Sequence, residues 1–122
     1  MMEQEMQEIE GRVSVEPEVL ETIARLTALK VPGVVRIAEK DVDRFLGLTG
    51  NSVLVLVEGG QVKVDLHLIA GPNISLLRLG QAVQYEVTRA IQKMIGMPVK
   101  AVNVHIEDVV YPPMENQPEF AV

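Results

Sequence analysis

An α+β fold, a two-layer sandwich with two helices on one face of a mostly antiparallel sheet in the order β-α-β-β-β-α-β, is what this chain predicts, on three observations. Pro17–Lys30 and Ser75–Ile95 repeat apolar residues at three and four positions, the spacing of a helix with one buried stripe. Gln61–Ala70 and Val99–Val110 alternate apolar with polar residues, the period of a strand buried on one side. A length of 122 residues suits one domain with one core and is too short for two.

Each element has its own signal. Residues 1–8, rich in Met, Glu and Gln, read as a mobile lead with little to bury. Ile9–Val15 alternates Ile9, Gly11, Val13 and Val15 with Glu10, Arg12 and Ser14 and predicts a first strand. Pro17 suits the first turn of a helix, where its missing N–H loses no bond, and Glu16, Glu18 and Glu21 lie near the positive end of the helix dipole. Leu20, Ile23, Ala24, Leu26 and Thr27 of that helix, with Val19 beside them, recur at three and four residues and are expected to face the core. Val31-Pro32-Gly33 ends it, and Val34–Ala38 predicts a second strand.

Glu39–Ser52 reads as a loop with one helical turn around Asp41–Leu46. Val53–Glu58 and Gln61–Ala70, joined by Gly59-Gly60, predict a hairpin, because two glycines accept the positive φ of a tight turn. After the break at Gly71-Pro72-Asn73, Asn73 or Ser75 is placed to cap a second helix lined by Leu76, Leu79, Val83, Val87, Ala90, Ile91 and Met94. Gly96 and Pro98 stop it, and the last strand follows. The domain therefore covers 9–110, and the Pro-containing stretch 111–122 reads as a mobile tail.

Composition narrows the chemistry. Apolar residues make up 48% of the chain but aromatic ones only 3%, so the core is aliphatic. There is no cysteine, which excludes disulfides, thiolate metal sites and thiol nucleophiles. A net charge of −6 opposes nonspecific attraction to nucleic acid or anionic lipid, which is driven by Lys and Arg. The acidic start lacks the basic and apolar regions of an export signal, and the longest apolar run, Val53–Val57, is too short for a membrane helix, so no direct membrane insertion is expected. Ser14, Ser52 and Ser75 have no nucleophile context, and no glycine stretch matches a phosphate-binding loop. No catalytic residue, cofactor or metal ligand is assigned.

The candidate interaction face lies on the sheet side away from the helices. Lys63, Asp65 and His67 share one parity, as do Asn103, His105 and Glu107, so adjacent strands bring two histidines and carboxylates together. A solvated face with cross-strand pairs is the first reading of this cluster; a divalent metal site or metal-dependent enzyme on His67/His105 is the alternative. Gly47-Leu48-Thr49-Gly50 matches the GXXG string of KH domains and makes an RNA-binding module a further alternative, against the acidic charge.

Gly11-Arg12-Val13-Ser14-Val15-Glu16-Pro17-Glu18-Val19-Leu20, Val31-Pro32-Gly33-Val34, Val62–Leu68, Val83–Val87 and Val99–Val109 together resemble, in this order, the alkaline shock or envelope stress response protein family of bacteria. The last of these looks like the family's closing V-x-x-V-N-V-H-V-x-D-V strand. The resemblance implies a non-enzymatic protein of the bacterial cytoplasm, often self-associating, in some members held at the membrane by a small integral partner and in others linked to the control of fatty-acid synthesis. With no catalytic signature in the chain, the expectation is a scaffold or adaptor that self-associates and binds a membrane-anchored or metabolic protein partner. The resemblance carries over no catalytic residues.

Overall fold

The computed structural model describes residues 9–38, 40–43, 48–50 and 52–111. Helix α1 (Pro17–Lys30) is followed by β1 (Val34–Ile37), β2 (Lys40–Asp43), β3 (Leu48–Gly50), β4 (Val53–Glu58), β5 (Gln61–Ala70), α2 (Leu76–Ile95) and β6 (Val99–Val109). The α+β sandwich predicted by the sequence is present, with both helices against one face of a four-stranded sheet. The expected lead 1–8 and all but Tyr111 of the expected tail 111–122 lie outside the described residues.

β5 is the middle of the main sheet. β6 runs parallel along one side of it, with Val64 level with Val102, Leu66 with Val104 and His67 with His105. The other side carries β4 and β1 end to end, both antiparallel: β4 pairs with Gln61–Leu66, and β1 with Leu68–Ala70. His67 sits at the junction, where its N–H donates to the Ser52 carbonyl at 2.9 Å and its carbonyl accepts from the Ala38 N–H at 2.8 Å. β1 and β4 are thus one edge strand interrupted by an excursion, whose neck is closed by the Ser52 hydroxyl donating to the Ala38 carbonyl.

Three local signals act as expected. Gly59 and Gly60 have φ of 57° and 77°, and the turn brings Glu58 opposite Gln61. Ser75 caps α2 by accepting from the Arg78 N–H at 3.2 Å, and Gly96 ends it in the left-handed conformation with φ 80°. The core joins Leu20, Ile23, Ala24 and Ala28 of α1, Leu79, Val83, Val87 and Ile91 of α2, and Val62, Val64, Leu66 and Leu68 of β5. Burying each of the Val, Leu and Ile side chains contributes about 1.5–3 kcal/mol, and each alanine methyl about 0.8 kcal/mol.

Two expectations are corrected. Ile9–Val15 is not a strand: it lies outside the sheet, with Ile9 85% and Val13 93% exposed. Alternation supplies a strand-compatible pattern but no partner, and no described strand pairs with this segment. The stretch expected as a loop with a helical turn contains instead β2 and β3, paired antiparallel with Asp41 level with Thr49. The KH-like alternative falls with it, because Leu48–Gly50 is a strand flanked by strands rather than a loop between helices. Gly47 lies outside the described residues.

Candidate functional site

The helix-free face of β5 and β6 gathers the polar residues that the alternation singled out. Every second residue of β5, Val62, Val64, Leu66 and Leu68, is withdrawn from solvent under the helices, which turns Lys63, Asp65 and His67 the other way. The parallel register then sets Asp65 beside Asn103 and His67 beside His105. The two imidazoles stack, with centroids 4.5 Å apart and planes 13° from parallel.

Each ring leans on a carboxylate. His67 Nδ1 is 2.5 Å from Glu107 Oε2, and His105 Nε2 is 3.6 Å from Asp65 Oδ1. Asn103 Nδ2 donates to the same Asp65 oxygen at 3.1 Å. The His67 side chain is 15% exposed and that of His105 50%, so the stack has an inner ring held in place and an outer ring offered to solvent. Lys63 is on the same face but level with Leu56 and Ala101, apart from this network.

Five of the six predicted residues, Asp65, His67, Asn103, His105 and Glu107, are therefore in one hydrogen-bonded and stacked patch, with Lys63 beside it. An apolar shoulder without a signal in the sequence flanks this patch: Leu54 and Leu56 of β4, 37% and 41% exposed, are level with Asp65 and Lys63. In the unbroken apolar run Val53–Val57 both faces look alike, so nothing in the run marks which leucines remain outside.

The patch is an open, polar surface with an apolar margin. Two carboxylates accept hydrogen bonds, the imidazoles donate or accept, and the neighbouring leucines add apolar area. Among the described residues, no three histidine, aspartate or glutamate side chains converge to hold a metal ion, because each imidazole is turned to a separate carboxylate. The hollows between α1 and α2 are shallow and apolar; one of about 250 Å³ is lined by Thr27, Lys30, Val31, Pro32, Ala82 and Glu86 and holds no nucleophile paired with a base. No helix among the described residues is long and apolar enough to cross a membrane.

Comparison with known proteins gives the family and the fold. The chain is 27% identical to YqhY of Bacillus subtilis over 101 residues, covering 79% of this chain and 75% of that one. It is 28% identical to Spy1535 of Streptococcus pyogenes serotype M6 over 103 residues, covering 82% and 80%. YloU of Bacillus subtilis is 26% identical over 107 residues, covering 81% and 88%. Among solved structures, MamM-CTD superimposes with a TM-score of 0.50 at 15% identity, over 76% of this chain and 99% of that one, a likeness of fold. The model of the alkaline shock protein 23 family, described as having a cell envelope-related function, matches residues 5–111, a span that includes the sandwich and the network of Asp65, His67, Asn103, His105 and Glu107; the chain belongs to the alkaline shock protein 23 family.

Proposed function

We propose that the protein is a non-enzymatic scaffold or adaptor of the bacterial envelope stress response, which self-associates and uses the open sheet face to bind a protein partner. The observation that carries this reading is the organised patch of Asp65, His67, Asn103, His105 and Glu107 on an uncovered sheet, with Leu54 and Leu56 at its side. Cross-strand pairs alone would stabilise the sheet; the half-exposed outer ring of His105 and the exposed Leu54 and Leu56 beside it are what support a partner on this face. Partly ordered polar groups beside exposed apolar ones are what a protein interface presents before it is covered.

The family's cell envelope-related function supports a partner at the envelope. The protein then acts from the cytoplasm, and attachment to the membrane comes through that partner, a small integral membrane protein; a metabolic enzyme is the second class of partner. Neither a cofactor nor nucleic acid enters this reading, in keeping with the net charge of −6.

The test is quantitative affinity purification of the full chain from its native cells, wild type beside a double variant His105→Glu with Asp65→Lys. Proteins recovered with the wild type and reduced at least ten-fold with the variant support the face as the docking surface. An identical set of proteins from both, in a variant shown by circular dichroism to be folded, overturns it. Light scattering on the purified chain tests self-association, and a strict monomer at all concentrations overturns that part.

A further inference from the structure

The long outer edge of β6 points to how two copies would meet. Among the described residues the sheet ends at β6, which pairs with β5 on one side only, in regular register over Ala101–Ile106 with a shift at Lys100 and another at Glu107. A strand edge of this length is a template for another strand unless something blocks it.

The ladder shows which backbone groups face outward. The Val62 N–H donates to the Pro98 carbonyl at 2.9 Å, and the Ala70 carbonyl accepts from the Val110 N–H at 2.9 Å. β5 therefore turns the amides of Val62, Val64, Leu66, Leu68 and Ala70 toward β6. In a parallel pair, the residue level with each of these turns its own amide away. Val102, Val104 and Ile106, level with Val64, Leu66 and Leu68, thus hold N–H and C=O outward. Gln84 of α2 corroborates this, since its side-chain amide reaches the Val102 carbonyl at 3.1 Å from outside the ladder. That carbonyl keeps a second lone pair for another donor.

The strand is also complementary to itself about Val104. Reversed on that residue, Val102 meets Ile106, Asn103 meets His105, Ala101 meets Glu107, Lys100 meets Asp108 and Val99 meets Val109. Apolar side chains then match under the helices, amide matches imidazole on the open face, and the two exposed charges at the ends are opposite in sign. Moving the centre to Asn103 sets Lys100 against Ile106 and Val99 against Glu107; moving it to His105 sets Val102 against Asp108.

We propose that two copies pair their β6 strands antiparallel about Val104, across a two-fold axis, into one continuous sheet. The two His67/His105 patches then lie on a single surface, which makes the adaptor bivalent. This rests on the self-association reading above and adds the surface and the register.

The absence of cysteine makes a covalent test clean. In this register Ala101 comes opposite Glu107 of the second copy, at the ends of the regular stretch of β6, where paired strands bring Cα atoms within disulfide reach. Within one chain the same residues are about 20 Å apart along the strand. The double variant Ala101→Cys, Glu107→Cys is expected to give mostly covalent dimer under mild oxidation, with Asn103→Cys alone crosslinking at least ten-fold more slowly. Val104→Pro removes an outward N–H and is expected to weaken dimerisation at least ten-fold in sedimentation. Should that variant fail to fold, Lys100→Glu carries the test: it weakens the dimer about five-fold, and adding Asp108→Lys restores it. Oligomers that neither crosslink at these positions nor respond to these substitutions overturn the β6 register while self-association stands. A strict monomer overturns both.

Discussion

Leu66 and Leu68 have no solvent exposure at the centre of β5, where both helices close over the sheet. Leu66→Ala is expected to lower the unfolding free energy by about 2–5 kcal/mol in urea titration, from lost burial and the cavity left behind. Gly33 is fixed by shape as well as by backbone. Its φ is +103°, and an added Cβ falls 2.8 Å from Ile74 Cδ1 and 3.2 Å from Leu79 Cδ1. Gly33→Ala is expected to destabilise by about 1–3 kcal/mol, read as a lower urea midpoint at unchanged m. The open face behaves oppositely: Asn103→Ala, which removes a hydrogen bond to a partly exposed Asp65, is expected to change stability by about 1 kcal/mol or less, while partner recovery falls. At this scale the alternation told the buried side from the open side over Val62–Leu68 of β5, while Ile69 is buried against its parity and Lys100 and Asp108 of β6 are exposed against theirs. It carried nothing about Leu54 and Leu56, because β4 is apolar on both faces.

Helix α2 starts and stops where short-range chemistry says it must, with a hydroxyl accepting an orphan N–H at Ser75 and a glycine in the left-handed region at Gly96. Ser75→Ala is expected to cost about 1 kcal/mol, and Ser75→Asp to keep the cap, when thermal or urea midpoints are compared. Gly96→Ala is expected to cost about 1–2 kcal/mol, since a Cβ opposes the left-handed turn. Helices and the Gly59-Gly60 hairpin were legible because their determinants lie within a few residues of one another. The β2–β3 pair was not: its strands are four and three residues long, and the segment between β1 and β4 has no sustained alternation. Ile9–Val15 shows the reverse error, a strand pattern that the fold of a single copy leaves without a ladder.

For the molecule as a whole, one core runs through both helices and the main sheet, so the layers are expected to unfold together. β5 is paired on both sides and covered by helices, and its amides are expected to be among the slowest in hydrogen exchange, opening only with the global transition; fast exchange over Val62–Leu68 at native stability refutes that expectation. The sequence by itself determined the fold class, the bounds of both helices, the glycine hairpin and the parity of the face carrying Lys63, Asp65, His67, Asn103, His105 and Glu107. These depend on periodicity and capping, which act over one or two turns of chain. Only the tertiary structure decided that β6 lies parallel to β5 with His105 level with His67, and that β1 and β4 share one edge. It also decided that Ile9–Val15 stays outside the sheet. Register between distant strands is set by how α2 seats β6 against the core and by which ladder positions are still open, and no local pattern encodes either.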